Sequence, residues 1–209
     1  MKWYDAFALV YDLGVEGPSR DNRQEAVRQL RLEPGLTALD LACGTGLNLP
    51  LLARGVGPTG TIIGTDYSAG MLSRAARKVQ RNGWTNVHLL EADARTLVRE
   101  QLCVSRREID RILCTLGFSV MPDWEMVFKR TFEMLRPGGR YAAMDLYIAP
   151  GRGPMSRALD LGYRVVARAD HSRRFWEPLQ QQCVDYEERS IPFLGERVLI
   201  VSGTKPQGG

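Results

Sequence analysis

Ala38-Leu39-Asp40-Leu41-Ala42-Cys43-Gly44-Thr45-Gly46-Leu47-Asn48-Leu49 is an apolar strand that runs straight into a tight glycine turn. The strand, read from Leu36 to Leu41, lacks polar alternation, so both of its faces are expected to be buried, as in a parallel sheet covered by helices. Gly44 and Gly46 permit a sharp reversal and a close approach of backbone to a ligand, and a helix can start over that ligand from Leu47 to Ala53. The stretch predicts an α/β domain with a nucleotide-type loop.

The residues after the turn narrow the ligand. A dinucleotide loop of the form G-x-G-x-x-G needs a third glycine where this chain has Leu49, so close approach of a pyrophosphate is not provided. A second apolar run, Thr61-Ile62-Ile63-Gly64-Thr65, ends in Asp66. A carboxylate at the tip of the second strand is placed to accept hydrogen bonds from ribose hydroxyls.

Elements alternate along the rest of the chain. Helices are expected over 3–13, 19–31, 68–82, 124–135 and 154–169, and strands over 61–66, 87–90, 109–115, 140–147, 183–191 and 197–203. On the 68–82 segment Met71, Leu72, Ala75 and Val79 recur on one face, which would pack on the sheet. Gly57-Pro58-Thr59-Gly60 and Arg136-Pro137-Gly138-Gly139 mark turns.

Four segments in order resemble the class I S-adenosylmethionine-dependent methyltransferases: Leu39-Asp40-Leu41-Ala42-Cys43-Gly44-Thr45-Gly46, Gly64-Thr65-Asp66-Tyr67-Ser68-Ala69-Gly70-Met71-Leu72, Glu91-Ala92-Asp93-Ala94 and Leu135-Arg136-Pro137-Gly138-Gly139-Arg140. The resemblance implies a Rossmann-like seven-stranded, mostly parallel sheet with a C-terminal antiparallel hairpin and helices on both faces. It also implies S-adenosylmethionine as the cofactor. Asp40, Gly44 and Gly46 would then hold the methionine end, with Ala42 and Cys43 as small walls of the pocket. Asp66 would take the ribose, Tyr67 and Met71 would flank the adenine, Asp93 with Ala94 would read its amino edge, and Thr115, Leu116 and Phe118 would close the other side. Tyr11-Asp12 resembles a Tyr-Asp pair that many members carry before the first strand, which adds Tyr11 to the cofactor side.

Methyl transfer is an in-line displacement, and alignment alone can supply much of its acceleration without a protein acid or base. The candidates at the reacting end are Tyr4 and Tyr11 in the N-terminal segment and His171 after the 154–169 helix. The other histidine, His88, falls inside an apolar strand, where a hydrogen-bonded structural role is expected. Cys43, Cys103, Cys114 and Cys183 show neither C-x-x-C spacing nor a neighbouring histidine cluster, so reduced thiols and no metal site are expected.

The 209 residues, 44% hydrophobic and 25% charged, suit one domain. It divides into an N-terminal helical lid (1–32), a cofactor-binding core (36–147) and a substrate-side helix with closing hairpin (148–209). No apolar run approaches the ~20 residues that span a bilayer, and the acidic start does not fit a signal peptide, so a cytoplasmic place is expected. Between residues 150 and 175 lie six arginines against two aspartates, a surplus equal to the whole chain's +4. Arg157, Arg164 and Arg168 share one helix face, which is either a solvated surface or a contact for an anionic membrane at its inner face.

Beyond the cofactor segments the chain resembles small bacterial phosphatidylethanolamine N-methyltransferases and the ubiquinone and menaquinone C-methyltransferases. That implies a lipid or other small-molecule acceptor. A nucleic-acid substrate is disfavoured, because Cys114-Thr115-Leu116-Gly117-Phe118 lacks the Pro-Pro-aromatic element of amino-methyltransferases acting on bases. A non-catalytic cofactor-binding role is the remaining alternative.

Overall fold

A computed structural model describes residues 19–102, 108–148, 153, 161–162, 164–165, 168–193 and 196–208. The expected 3–13 helix, with Tyr4 and Tyr11, and most of the expected 154–169 helix, with Arg157, lie outside the described residues, as does Cys103.

A seven-stranded sheet runs through the molecule in the order β3-β2-β1-β4-β5-β7-β6. The strands are β1 (Thr37–Leu41), β2 (Thr61–Asp66), β3 (Val87–Glu91), β4 (Ile109–Thr115), β5 (Leu135–Tyr147), β6 (Val184–Phe193) and β7 (Glu196–Thr204). β1 to β5 pair in parallel, and β7 joins β5 and β6 antiparallel, as the sequence predicts for the C-terminal hairpin. Every residue of β1 is buried, which is what its unbroken apolar pattern requires at the centre of a sheet covered on both faces.

Helices α1 (19–29), α2 (Leu49–Val56) and α3 (Ala69–Asn82) cover one face. Ala26, Val27 and Leu30 from α1 and its end, Leu49, Leu52 and Val56 from α2, and Ala75 from α3 meet Ala38, Ile62, Leu113 and Ala142 of the sheet. α4 (Trp124–Met134) and α5 (Glu177–Gln182) cover the other face, where Val127, Phe128, Phe132 and Leu179 meet Leu39, Leu41, Ile112 and Tyr141. α3 starts where Ser68 Oγ accepts from Met71 N at 3.2 Å and ends at Gly83 in the left-handed region, φ 66°.

The boundaries differ from expectation in physically understandable places. β5 begins at Leu135 rather than Arg140, because Leu135 pairs with Ile109 before a register shift in the ladder to β4. α5 has no counterpart among the expected helices. Its six residues are polar except for Pro178 and Leu179, and one buried leucine leaves no period to read.

Two buried arginines tie α1 to the sheet. Arg111 Nε donates to Leu30 O at 2.7 Å. Arg140 Nε donates to Gln29 O, while its other nitrogens reach Thr204 Oγ1, Ser202 Oγ and Glu187 Oε1. A buried guanidinium is tolerable only when its donors are satisfied in this way.

Candidate functional site

Strand order reverses between β1, which continues to β2 on one side, and β4 on the other. Ligands of open α/β sheets bind at such a point, beyond the strand C-termini. A cavity of about 570 Å³ lies there, lined by residues at and after the ends of β1 to β4 and by two arginines that follow β5.

One half is built from the glycine turn and the ends of β2 and β3. Ala42, Gly44, Thr65, Asp66, Tyr67, Ser68, Met71, Asp93 and Ala94 line it. Ala42 and Gly44 hold left-handed backbone, φ 53° and 56°. A Cβ added at Gly44 would meet no protein atom within 4 Å, whereas one at Gly46 would stand 2.6 Å from Leu49 Cδ1. Gly44 therefore opens space beside the cavity, while Gly46 lets the turn close on α2. Cys43 is buried with its sulfur against Gly64, and burial pushes its thiol well above the ordinary range, so it packs rather than reacts.

Asp66 organises this half. Its Oδ2 accepts from Gly44 N at 2.8 Å and its Oδ1 from Ser68 N at 2.9 Å, so one carboxylate fixes the glycine turn and the approach to α3 while lining the cavity. The cap of α3 is Ser68. Asp93 accepts from Arg95 N at 2.9 Å and is clasped by the Arg95 guanidinium, with Nη2 to Oδ2 at 2.7 Å.

Behind Thr115 lies a buried polar network that the sequence alone does not announce. Arg23 of α1 donates from Nη1 to Thr115 Oγ1 at 2.6 Å and to Asn48 Oδ1 at 3.0 Å, and from Nε to Ser19 Oγ. Asn48 Nδ2 donates in turn to Asp40 Oδ1 at 2.8 Å. Asp40 is fully buried, and among the described residues its Oδ2 has no hydrogen-bond partner, nor has Thr65 Oγ1. Burial outweighs the Asn48 bond and the Arg23 charge and pushes the Asp40 carboxyl up to about 7. In sequence, Arg23 is one of several cations in an amphipathic segment, and only its buried side could have singled it out.

The second half of the cavity is apolar with a cationic rim: Leu116, Val120, Met121, Pro122 and Val127, then Arg168 and Arg173. Of the three residues expected after β4, Thr115 and Leu116 line the cavity and Phe118 does not. It turns into the core, 1% exposed, against Trp124, Phe128, Tyr141 and Phe175, because the turn after β4 directs this large ring toward α4. Its ring is therefore part of the core and not of the cavity wall.

His171 is also displaced from expectation. It is buried, with Nδ1 3.2 Å from Leu146 O and 3.8 Å from Asp145 Oδ1, and does not line the cavity. Asp145, near the end of β5, accepts from Ser119 N at 2.9 Å, and Asp170 N donates to Ser119 O at 2.7 Å. These groups pin the rim segments to β5. Of the three arginines expected on one helix face, Arg157 lies outside the described residues, Arg164 Nη2 pairs with Asp170 Oδ1 at 2.9 Å, and Arg168 belongs to the cavity rim. Among the described residues no three metal-ligating side chains cluster.

Known proteins share this architecture. Residues 38–139 match the family model of a methyltransferase domain. A demethylmenaquinone methyltransferase of Lactococcus lactis is 32% identical over 123 residues, 59% of this chain and 47% of the relative. The chain spans about half the length of the curated relatives it matches. Among solved structures, a SAM dependent methyltransferase from Aquifex aeolicus superposes with a TM-score of 0.65 at 18% identity, covering 96% of this chain and 98% of that one. An O-methyltransferase family protein from Burkholderia thailandensis gives 0.75 at 16% identity, covering 99% and 60%.

Proposed function

We propose that this chain is a class I S-adenosylmethionine-dependent methyltransferase, a reading supported by the match of residues 38–139 to a methyltransferase domain, and that it binds S-adenosylmethionine in the cavity beyond the strand ends and transfers its methyl group to a small-molecule acceptor. When bound, the cofactor supplies a methyl group on a cationic sulfur that departs as a neutral thioether.

The residues present suit that molecule. Asp66 offers ribose hydroxyls a carboxylate already held in place by Gly44 N and Ser68 N. Tyr67 and Met71, which line the cavity, would flank the adenine, and Asp93 with Ala94 would face its amino edge. For the amino-acid end, Arg23 and Asp40 provide opposite charges in one network, and the unpartnered Asp40 Oδ2 fits an ammonium. Leu116, Val120, Met121 and Pro122 give the acceptor side of the cavity a largely apolar lining.

The observation that carries this reading is the double anchoring of Asp66 at the cavity wall. It is tested by calorimetry of S-adenosylhomocysteine with Asp66→Ala. Loss of a charged hydrogen bond costs about 1.5–3 kcal/mol, so affinity should fall at least tenfold while circular dichroism reports a retained fold. Unchanged affinity in the folded variant refutes the assignment.

For the acceptor we favour a quinol-type aromatic ring methylated at carbon. The name of the Lactococcus lactis relative and the apolar half of the cavity support this. Among the described residues no helix is long and apolar enough to cross a membrane. Incubation with labelled donor and either a reduced naphthoquinone or phosphatidylethanolamine vesicles separates the two acceptors. Label in the lipid alone overturns the quinol reading.

A further inference from the structure

We propose that Arg168 is an anion anchor at the acceptor end of the cavity, so that the acceptor taken here is an apolar, aromatic-sized molecule carrying a carboxylate or phenolate group rather than an amine. The inference rests on the reading of this cavity as the methyl-transfer site.

Three arginines stand near one another in sequence, and two are committed. Arg164 pairs with Asp170 at 2.9 Å. Arg173 Nη1 donates to Phe118 O and Met121 O, both at 2.5 Å, and its Nε lies 3.6 Å from Asp170 Oδ2. Asp170 also accepts from Ser172 Oγ at 2.6 Å, so its acceptor capacity is shared among three neighbours. Across the cavity, Arg95 is engaged by Asp93.

Arg168 differs. It lines the cavity, is exposed, and makes no ion pair or hydrogen bond among the described residues. Its backbone is also left-handed, φ 53°, a conformation that non-glycine residues adopt at a cost and that clusters at ligand-binding positions. A guanidinium held at the mouth of an apolar-walled cavity suits a carboxylate, which it can meet through two parallel hydrogen bonds, or a phenolate. Val120, Met121 and Pro122 offer the body of such a molecule a largely apolar wall. The same charge repels an ammonium and disfavours an amine acceptor before chemistry begins.

The test uses three probes with one ring system and different charge, 2-naphthoate, 2-naphthamide and 2-naphthylmethylamine, titrated into protein saturated with S-adenosylhomocysteine. The wild type should bind naphthoate about tenfold to a hundredfold more tightly than naphthamide, and naphthylmethylamine most weakly. Arg168→Gln should erase the preference for naphthoate while leaving naphthamide and S-adenosylhomocysteine affinities within about twofold. Arg168→Glu should invert the order in favour of the amine. A wild type that binds naphthamide or the amine as tightly as naphthoate overturns the anchor, and so does a preference that survives in Arg168→Gln. Failure of S-adenosylhomocysteine to bind the wild type overturns the methyltransferase reading and the anchor together.

Discussion

Replacing Asp40 by asparagine should make the ligand-free protein more stable at pH 8 and less responsive to its cofactor. Asp40 is fully buried, with one oxygen bonded to Asn48 and the other without a partner among the described residues. Its carboxyl is pushed from 3.8 to about 7, first by burial, with Asn48 and the Arg23 charge opposing the rise. A raised acid pKa means that between about pH 4 and pH 7 the folded chain keeps a proton that the unfolded chain has released. The stability contributed by that proton is complete below the unfolded value and is lost as pH rises through the folded one. A difference of about three units at ~1.4 kcal/mol each sets a ceiling of about 4 kcal/mol, and the asparagine of the variant carries no such titration. Urea denaturation without ligand should therefore show the variant gaining on the wild type from pH 5 to pH 8. Adding S-adenosylhomocysteine at pH 8 should stabilise the wild type more, because only a carboxylate pairs with its ammonium. An equal gap between wild type and variant at both pH values refutes the reasoning about Asp40.

The two glycines of the turn should fail differently. Gly44→Ala adds a methyl where no protein atom lies within 4 Å, at φ 56°. Its stability loss should stay near the ~1–2 kcal/mol of a left-handed residue, while S-adenosylhomocysteine affinity drops at least tenfold by calorimetry. Gly46→Ala forces a Cβ to 2.6 Å from Leu49 Cδ1 and 3.2 Å from the Ala75 Cβ, so a further ~1–3 kcal/mol of overpacking should appear in its thermal midpoint. Turnover should persist in excess chelator, since the described residues bring no three metal ligands together. Activity lost in chelator and restored by a divalent ion would contradict this.

The cofactor half of the site is legible in sequence because its determinants are local. A strand, a glycine turn and an acid at the next strand tip are each contiguous, and parallel pairing of β1 with β2 brings Asp66 to Gly44 whatever the distant chain does. Arg23 escapes such reading because its role depends on α1 crossing to β4, where Thr115 lies 92 positions away. Phe118 misleads for a related reason. A position just after a strand tip favours the cavity, but an aromatic ring can bury far more surface against Phe128, Tyr141 and Phe175 than at a wet rim, and packing decides.

The acceptor half depends on residues that chain distance and charge counting do not sort. Six arginines lie between residues 150 and 175, and helical spacing puts Arg157, Arg164 and Arg168 on one face. In the fold, Arg164 and Arg173 are held by Asp170 and by the carbonyls of Phe118 and Met121, and Arg168 remains as the cation without a described partner at the cavity rim. Asp170 reaches that position because its own N–H bonds Ser119 O, while Asp145 holds Ser119 N and His171 sits beside Asp145. The hydrogen bonds from Asp145 through Ser119 to Asp170 thus hold the carboxylate that pairs with Arg164 and Arg173. With Arg168 as the proposed anchor, acceptor choice would rest on this hydrogen-bond chain behind the cavity wall as well as on the residues that touch the acceptor, because it is Asp170 that occupies the neighbouring arginines.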